Sequence, residues 1–282
     1  MFKNKISNSL MYIKSLQQRH FYHMVTLSPW PLFTAVHIFV LVLGFVMYMH
    51  FYKNGGIVLV WGLLNILFTV SLWLRDIIRE GTYEGMHTRI VQKNLKMGFA
   101  SFIVTEIMFF FGFFWAFFHV SLAPAVELGC IWPPVGINPI NPWRLPLLNT
   151  CLLLQSGVYI TICHLYLKLG GTEKVFMYFV YTLLCGLAFT SIQIYEYIMS
   201  SFSIADSVYG ATFYMLTGFH GFHVLVGSIS IFVCFLRAIV GHFTRNHHVG
   251  FECAAWYWHS VDVVWLFSFV CVYVWGNWGL SF

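Results

Sequence analysis

Seven continuous apolar runs constrain this chain more than any other feature of its sequence. They lie at about residues 30–51, 56–74, 98–122, 145–167, 175–195, 207–236 and 253–278. An α-helix needs about 20 apolar residues to cross the hydrocarbon of a bilayer. A lipid-exposed backbone must satisfy its own polar groups, so each run is expected to be a membrane helix. A transmembrane barrel would instead alternate apolar and polar residues in segments of about 10, and these runs do not alternate. Only 9% of the 282 residues are charged, against roughly 25% in a soluble domain. The chain is therefore read as an all-α integral membrane protein with seven transmembrane helices.

The loops between the runs set the orientation. The N-terminal segment (Lys3, Lys5, Lys14, Arg19), the 75–97 loop (Arg75, Arg79, Arg89, Lys93, Lys96) and the loops carrying Lys168, Lys174, Arg237 and Arg245 fall on one side. Thirteen basic residues lie there, against only Lys53 and Arg144 on the other. The positive-inside rule puts that side, and the N-terminus, in the cytoplasm or matrix. Residues 1–19 resemble a mitochondrial presequence in having basic groups and serines but no acid. We read residues 1–24 as a retained basic amphipathic arm on the inner membrane face. Residues 25–74 then hold helices 1–2, residues 75–97 an inner-side loop, and residues 98–282 helices 3–7. The long loop predicts two bundles with a cleft between them. The outer loop 123–144 contains five prolines, whose fixed φ predicts an ordered cap or docking surface. Seven cysteines form no CxxC pair and are read as small buried hydrophobes.

A few polar residues fall inside the apolar runs, where an ionisable group is costly and by default a functional hypothesis. Glu106 lies ten residues beyond Lys96, about 15 Å into a helix. Asp262 enters from the same face within the run Asn246 to Phe267. His220 and His223 are three apart and share a helix face. Glu106, His220, His223 and Asp262 are expected at comparable depth, as a hydrogen-bonded cluster. Three readings are open: a structural tie between helices 3, 6 and 7, proton handling, and metal or haem ligation. His247 and His248 sit in a loop and are read as solvated or lipid-facing. Near the inner helix ends, Trp73, Arg75, Arg79, Glu80, His87 and Arg237 have two readings. One is ordinary anchoring; the other is a site for anionic lipid, whose phosphates guanidinium groups hold bidentately. Trp61, Trp73, Trp256 and Trp258 would be interface or acyl-chain contacts.

Taken together, these motifs resemble the cytochrome c oxidase subunit III family of haem-copper oxidases, mitochondrial type. The resemblance runs from about His20 to Trp278. It includes Ser28-Pro-Trp-Pro31, Arg75-Asp-Ile-Ile-Arg-Glu80, Phe113-Phe-Trp-Ala-Phe-Phe-His119, Ser121-Leu-Ala-Pro124, Glu127-Leu-Gly129, Trp132-Pro-Pro134, Pro146-Leu-Leu-Asn-Thr150, the His220/His223 pair and the 246–267 run. The chain departs from the family's pattern at Leu74, where a second tryptophan often stands, and at Met86, where a histidine is common.

The resemblance implies a two-plus-five helix fold with phospholipid, such as cardiolipin, phosphatidylglycerol or phosphatidylethanolamine, in the cleft. It implies no redox centre in this chain, with haem a and copper held by partner subunits I and II, and accessory subunits alongside. It matches Glu106 to the family's carbodiimide-reactive acid, and Arg79, Glu80, His87 and Arg237 to positions near lipid headgroups. The implied function is a non-redox subunit of an oxidase that reduces O2 to water and pumps protons. Such a subunit stabilises the catalytic subunit and supports proton uptake, in the mitochondrial inner membrane with its N-terminus in the matrix and no nucleic-acid partner. The corresponding subunit of a quinol oxidase is the alternative. A proton-coupled transporter fits poorly, since no run has proline in its middle third and no internal repeat is visible.

Overall fold

A computed structural model describes residues 20–277; residues 1–19 of the basic arm expected over residues 1–24, and Trp278, lie outside the described residues. Seven long helices account for the apolar runs: α1 (Trp30–Met49), α2 (Gly55–Thr82), α3 (Arg89–Leu122), α4 (Leu145–Leu169), α5 (Thr172–Met199), α6 (Ser207–Ile239) and α7 (Val249–Ser268). Beyond Ser268, α7 continues as a π-helical turn, Phe269–Val274, and a 3-10 turn, Trp275–Asn277. All seven are long and apolar enough to cross a membrane. No strand is assigned among the described residues.

The clearest departure from expectation is the 75–97 loop. Helix α2 continues through Thr82 and α3 begins at Arg89, so only residues 83–88 connect them. Hydropathy ended the second run at Leu74 because Arg75, Asp76, Arg79 and Glu80 follow. Charged side chains propagate a helix well, however, once it has left the hydrocarbon. Gly85, at φ +65°, makes the turn, and Thr88 accepts the Val91 amide at 3.5 Å as the cap of α3.

The chain divides into two compact units between Asn94 and Leu95. In the first, α1 and α2 form an antiparallel pair joined through the left-handed residues Phe51 and Asn54. Glycines set their spacing. A Cβ on Gly62 would lie 2.8 Å from the Leu41 backbone, and one on Gly44 would collide with the Leu59 amide. Small residues that let backbones approach are a principal way for membrane helices to associate, because lipid is as apolar as the helix surface.

The second unit packs around α7. Trp258 and Trp265 are fully buried, and each indole finds an acceptor on α4: Trp258 donates to Ser156 Oγ at 2.8 Å and Trp265 to Thr150 Oγ1 at 2.9 Å. Trp258 is thus a core residue rather than an interface contact. Its ring occupies a slot that glycines leave, since a Cβ on Gly227 would lie 2.8 Å from it. The proline-rich 123–144 segment is ordered against this unit. Trp132 packs on Phe117 and Tyr209, while the Ile140 and Asn138 carbonyls accept from Asn277 and Ser201 at 3.1 and 3.0 Å.

Candidate functional site

Helix α3 brings Glu106, and α6 brings His223, to one hydrogen bond inside the second unit. His223 Nε2 lies 2.7 Å from Glu106 Oε2, and His223 Nδ1 lies 2.7 Å from the Phe219 carbonyl oxygen. A carbonyl oxygen only accepts, so Nδ1 carries a hydrogen. The Nε2–Oε2 contact then needs a proton of its own, on either the imidazole or the carboxyl. The pair is either imidazolium with carboxylate or imidazole with carboxylic acid, and it is neutral overall in both forms. Neutrality makes it tolerable in a membrane interior. It also leaves one proton able to reside at either end.

His220 is fully buried one turn away and its Nε2 donates to the Val261 carbonyl of α7 at 3.2 Å. A cavity of about 10 Å³ adjoins the pair, lined by Glu106, Phe110, His220, His223, Tyr257 and Ser260 among others. That space holds one water molecule at most.

Asp262 does not join them. It points towards α4, where a Cβ on Gly157 would collide with Oδ2. Its neighbour His259 has Nδ1 3.8 Å from Asp262 Oδ2 and Nε2 3.2 Å from Thr161 Oγ1. Equal depth along the helices did not reveal this, because Asp262 leaves α7 on a different side from the Val261 carbonyl that His220 meets.

One further polar group escaped the sequence reading and a second was misplaced by it. Glu196, in the last turn of α5, is buried and accepts from Tyr273 Oη at 2.8 Å. Its other oxygen has no hydrogen-bond partner among the described residues. Tyr273 belongs to the π-helical turn, and Gln193 and Asn149 extend the chain of contacts to α4 at 3.5 and 3.3 Å. The signal was an acid near the end of an apolar run, which reads equally well as a solvated helix end. Secondly, His248 is buried, contrary to the solvated or lipid-facing reading, and stands at the start of α7 beside His164 and Glu252.

Most of the residues expected to hold lipid are in the first unit. Asp76 accepts both from the Arg75 guanidinium, at 2.8 and 2.9 Å, and from the Trp30 indole, at 2.6 Å. Arg79 lies 3.7 Å from Glu84, and Glu80 lies 3.9 Å from His23. His87 stands edge-on to His23 and against Gly81, and Trp73 is half-buried. Both Arg75 and Arg79 remain exposed. In the second unit Arg237 stacks on Phe243, 4.6 Å from the ring centre. His242 follows α6 in a turn, where burial and then the Arg237 charge hold its pKa below the usual imidazole value.

Comparisons with known proteins bear on this arrangement. A family model described as cytochrome c oxidase subunit III matches residues 20–277. The chain is similar to the cytochrome c oxidase subunit 3 of Arabidopsis thaliana, with 54% identity over 92% of this chain and 98% of that one. It is similar to that of the echidna Tachyglossus aculeatus aculeatus, with 53% identity over 92% and 99%. To that of the alga Prototheca wickerhamii it shows 51% identity over 92% and 99%.

Proposed function

The chain belongs to the cytochrome c oxidase subunit III family, and we propose that within the complex it acts as a non-redox scaffold with a proton-holding pair inside its five-helix unit. As a subunit of cytochrome c oxidase it is part of an oxidoreductase complex with other oxidase subunits. The named relatives favour this over a quinol oxidase. Haem a and copper belong in this reading to partner subunits I and II, with accessory subunits completing the assembly. The work left to this chain is to stabilise the catalytic subunit, hold phospholipid and support proton uptake.

One observation carries the reading: the Glu106–His223 bond, a neutral pair that holds a single proton between α3 and α6. Its first effect is to tie two helices together; its second is to offer a protonatable site inside the membrane. His259 supports the role of partner subunits. Its side chain is 44% exposed midway along a membrane-spanning helix, where an imidazole against lipid is unfavourable and a neighbouring subunit's helix would cover it. Exposed Arg75 and Arg79, at the charged end of α2, suit the phosphates of an anionic lipid such as cardiolipin or phosphatidylglycerol. The excess of Lys and Arg on one side supports a matrix N-terminus and an intermembrane-space C-terminus in the mitochondrial inner membrane.

The test is to solubilise the membrane mildly, isolate the chain with whatever holds it, and record a reduced-minus-oxidised spectrum with metal analysis and peptide mass spectrometry. Haem a and copper should travel with two other core subunits and stay with them when this chain is stripped away. A stripped chain that keeps its own haem would overturn the reading.

A further inference from the structure

Where α4 ends and α7 begins, three side chains converge that the reading above does not use. His164 Nε2 and His248 Nε2 are 3.1 Å apart, His248 Nε2 is 3.5 Å from Glu252 Oε1, and His164 Nε2 is 3.8 Å from the same oxygen. We propose that His164, His248 and Glu252 form a binding site for a divalent zinc-class cation that fastens the end of α4 to the start of α7.

The spacing is the first argument. Ligands held about 2.05 Å from a tetrahedral zinc ion are separated by about 3.3 Å. The three separations scatter around that value, so a single ion above the triangle reaches all three atoms with small movements.

Orientation is the second. His248 Nδ1 donates to the Thr244 carbonyl at 2.9 Å, which leaves the Nε2 lone pair of the neutral ring directed at the other two ligands. A backbone carbonyl behind a metal-binding imidazole is the usual device for fixing its tautomer. The second oxygen of Glu252 is held by the Lys96 ammonium, which positions the carboxylate from behind in the same way. Lys96 also places a positive charge near the ion. The site is therefore expected to be of moderate affinity, and a weaker ligand set would not overcome that charge.

Two imidazoles and one carboxylate suit zinc better than magnesium or calcium, which prefer all-oxygen shells. Three protein ligands leave a fourth position for water. Zinc has no redox chemistry, so the site is compatible with a chain that carries no redox centre and does not depend on the Glu106–His223 pair. A second group, His23, Glu80 and His87, also brings three ligand atoms within 4.8 Å. Its ion pair between His23 and Glu80 spans 3.9 Å, wider than the His164–His248 and His248–Glu252 separations.

The test uses the intact purified oxidase, treated with chelator, desalted and titrated with zinc chloride. Bound zinc is counted by mass spectrometry after gel filtration, for the wild type and for His164→Gln and Glu252→Gln. Each variant should bind one equivalent fewer, or bind that equivalent more weakly than the about 10–100-fold loss typical of a removed supporting partner. Equal stoichiometry and affinity in all three would overturn the site and leave the converging atoms sharing only a proton. Should a variant fail to assemble, zinc-edge anomalous scattering from wild-type crystals decides. A peak between the two Nε2 atoms and Glu252 Oε1 supports the site, and no peak there at saturating zinc refutes it.

Discussion

The α1–α2 pair and the five-helix unit are both bundles of apolar helices, but they are held together by opposite means. In the membrane-spanning windows of α1 and α2 only 11% of residues are buried, as in α3, against 28% to 50% in α4 to α7. The pair has almost no interior; within the apolar spans its backbones are drawn together at glycines, and the Trp30–Asp76 hydrogen bond ties the charged end. The five-helix unit has a true interior, filled by indoles and phenyl rings and stitched by buried hydroxyls, imidazoles and carboxyls. In lipid, apolar surface alone gives helices little reason to associate. A unit therefore gains adhesion through close backbone approach or through polar groups with no better partner. Inside the spans the pair relies chiefly on the first device, and the five-helix unit adds the second. The polar device also places ionisable groups within the bundle, and the Glu106–His223 pair sits in the five-helix unit.

The comparison can be broken by substitutions of opposite sense. Trp258→Ala should have the largest effect, destabilising by about 3–5 kcal/mol, because it empties the slot at Gly227 and takes the indole donor from Ser156. Thermal inactivation of the assembled complex would read this out. A Trp258→Ala protein as heat-resistant as wild type would deny the five-helix unit its packed interior. Next is Gly62→Leu, which inserts a side chain where even a Cβ approaches the Leu41 backbone at 2.8 Å. A cost of about 1–3 kcal/mol is expected, seen as faster proteolysis within residues 50–54. Protection equal to wild type would mean that the pair does not depend on close approach. His223→Phe removes the partner of Glu106 and should cost about 1–3 kcal/mol, again by thermal inactivation. Ser71→Ala, on the exposed face of α2 with only its own helix's Leu67 carbonyl as partner, should fall within about 0.5 kcal/mol of wild type.

Much of this fold was legible because hydropathy is a direct report on membrane spans. All seven helices lie where the apolar runs predicted, and the cap over residues 123–144 is ordered as its prolines suggested. The missing information is of two kinds. Charged helical turns beyond the hydrocarbon, such as Arg75–Thr82, look like loop to a hydropathy argument. Which side chains meet inside the bundle depends on helix rotation, which spacing along one helix does not fix. Glu106 and His223 meet, and His220 stands beside them, yet Asp262 turns to His259 and Gly157. Trp258 was assigned to the interface because tryptophan is common there, whereas glycines on a neighbouring helix make it core. Glu196 went unremarked, and His248 was read as solvated or lipid-facing, for a related reason. A polar residue at the end of an apolar run looks solvated until the segment folded over it is known.

The most direct test of the account is Glu106→Gln in the intact oxidase. Glutamine keeps the length of the side chain and its hydrogen bond to His223 while removing the shared proton. A neutral tie should hold, with subunit ratio and haem content retained and basal turnover largely intact. Loss of the whole complex would make Glu106 an assembly keystone and contradict the account.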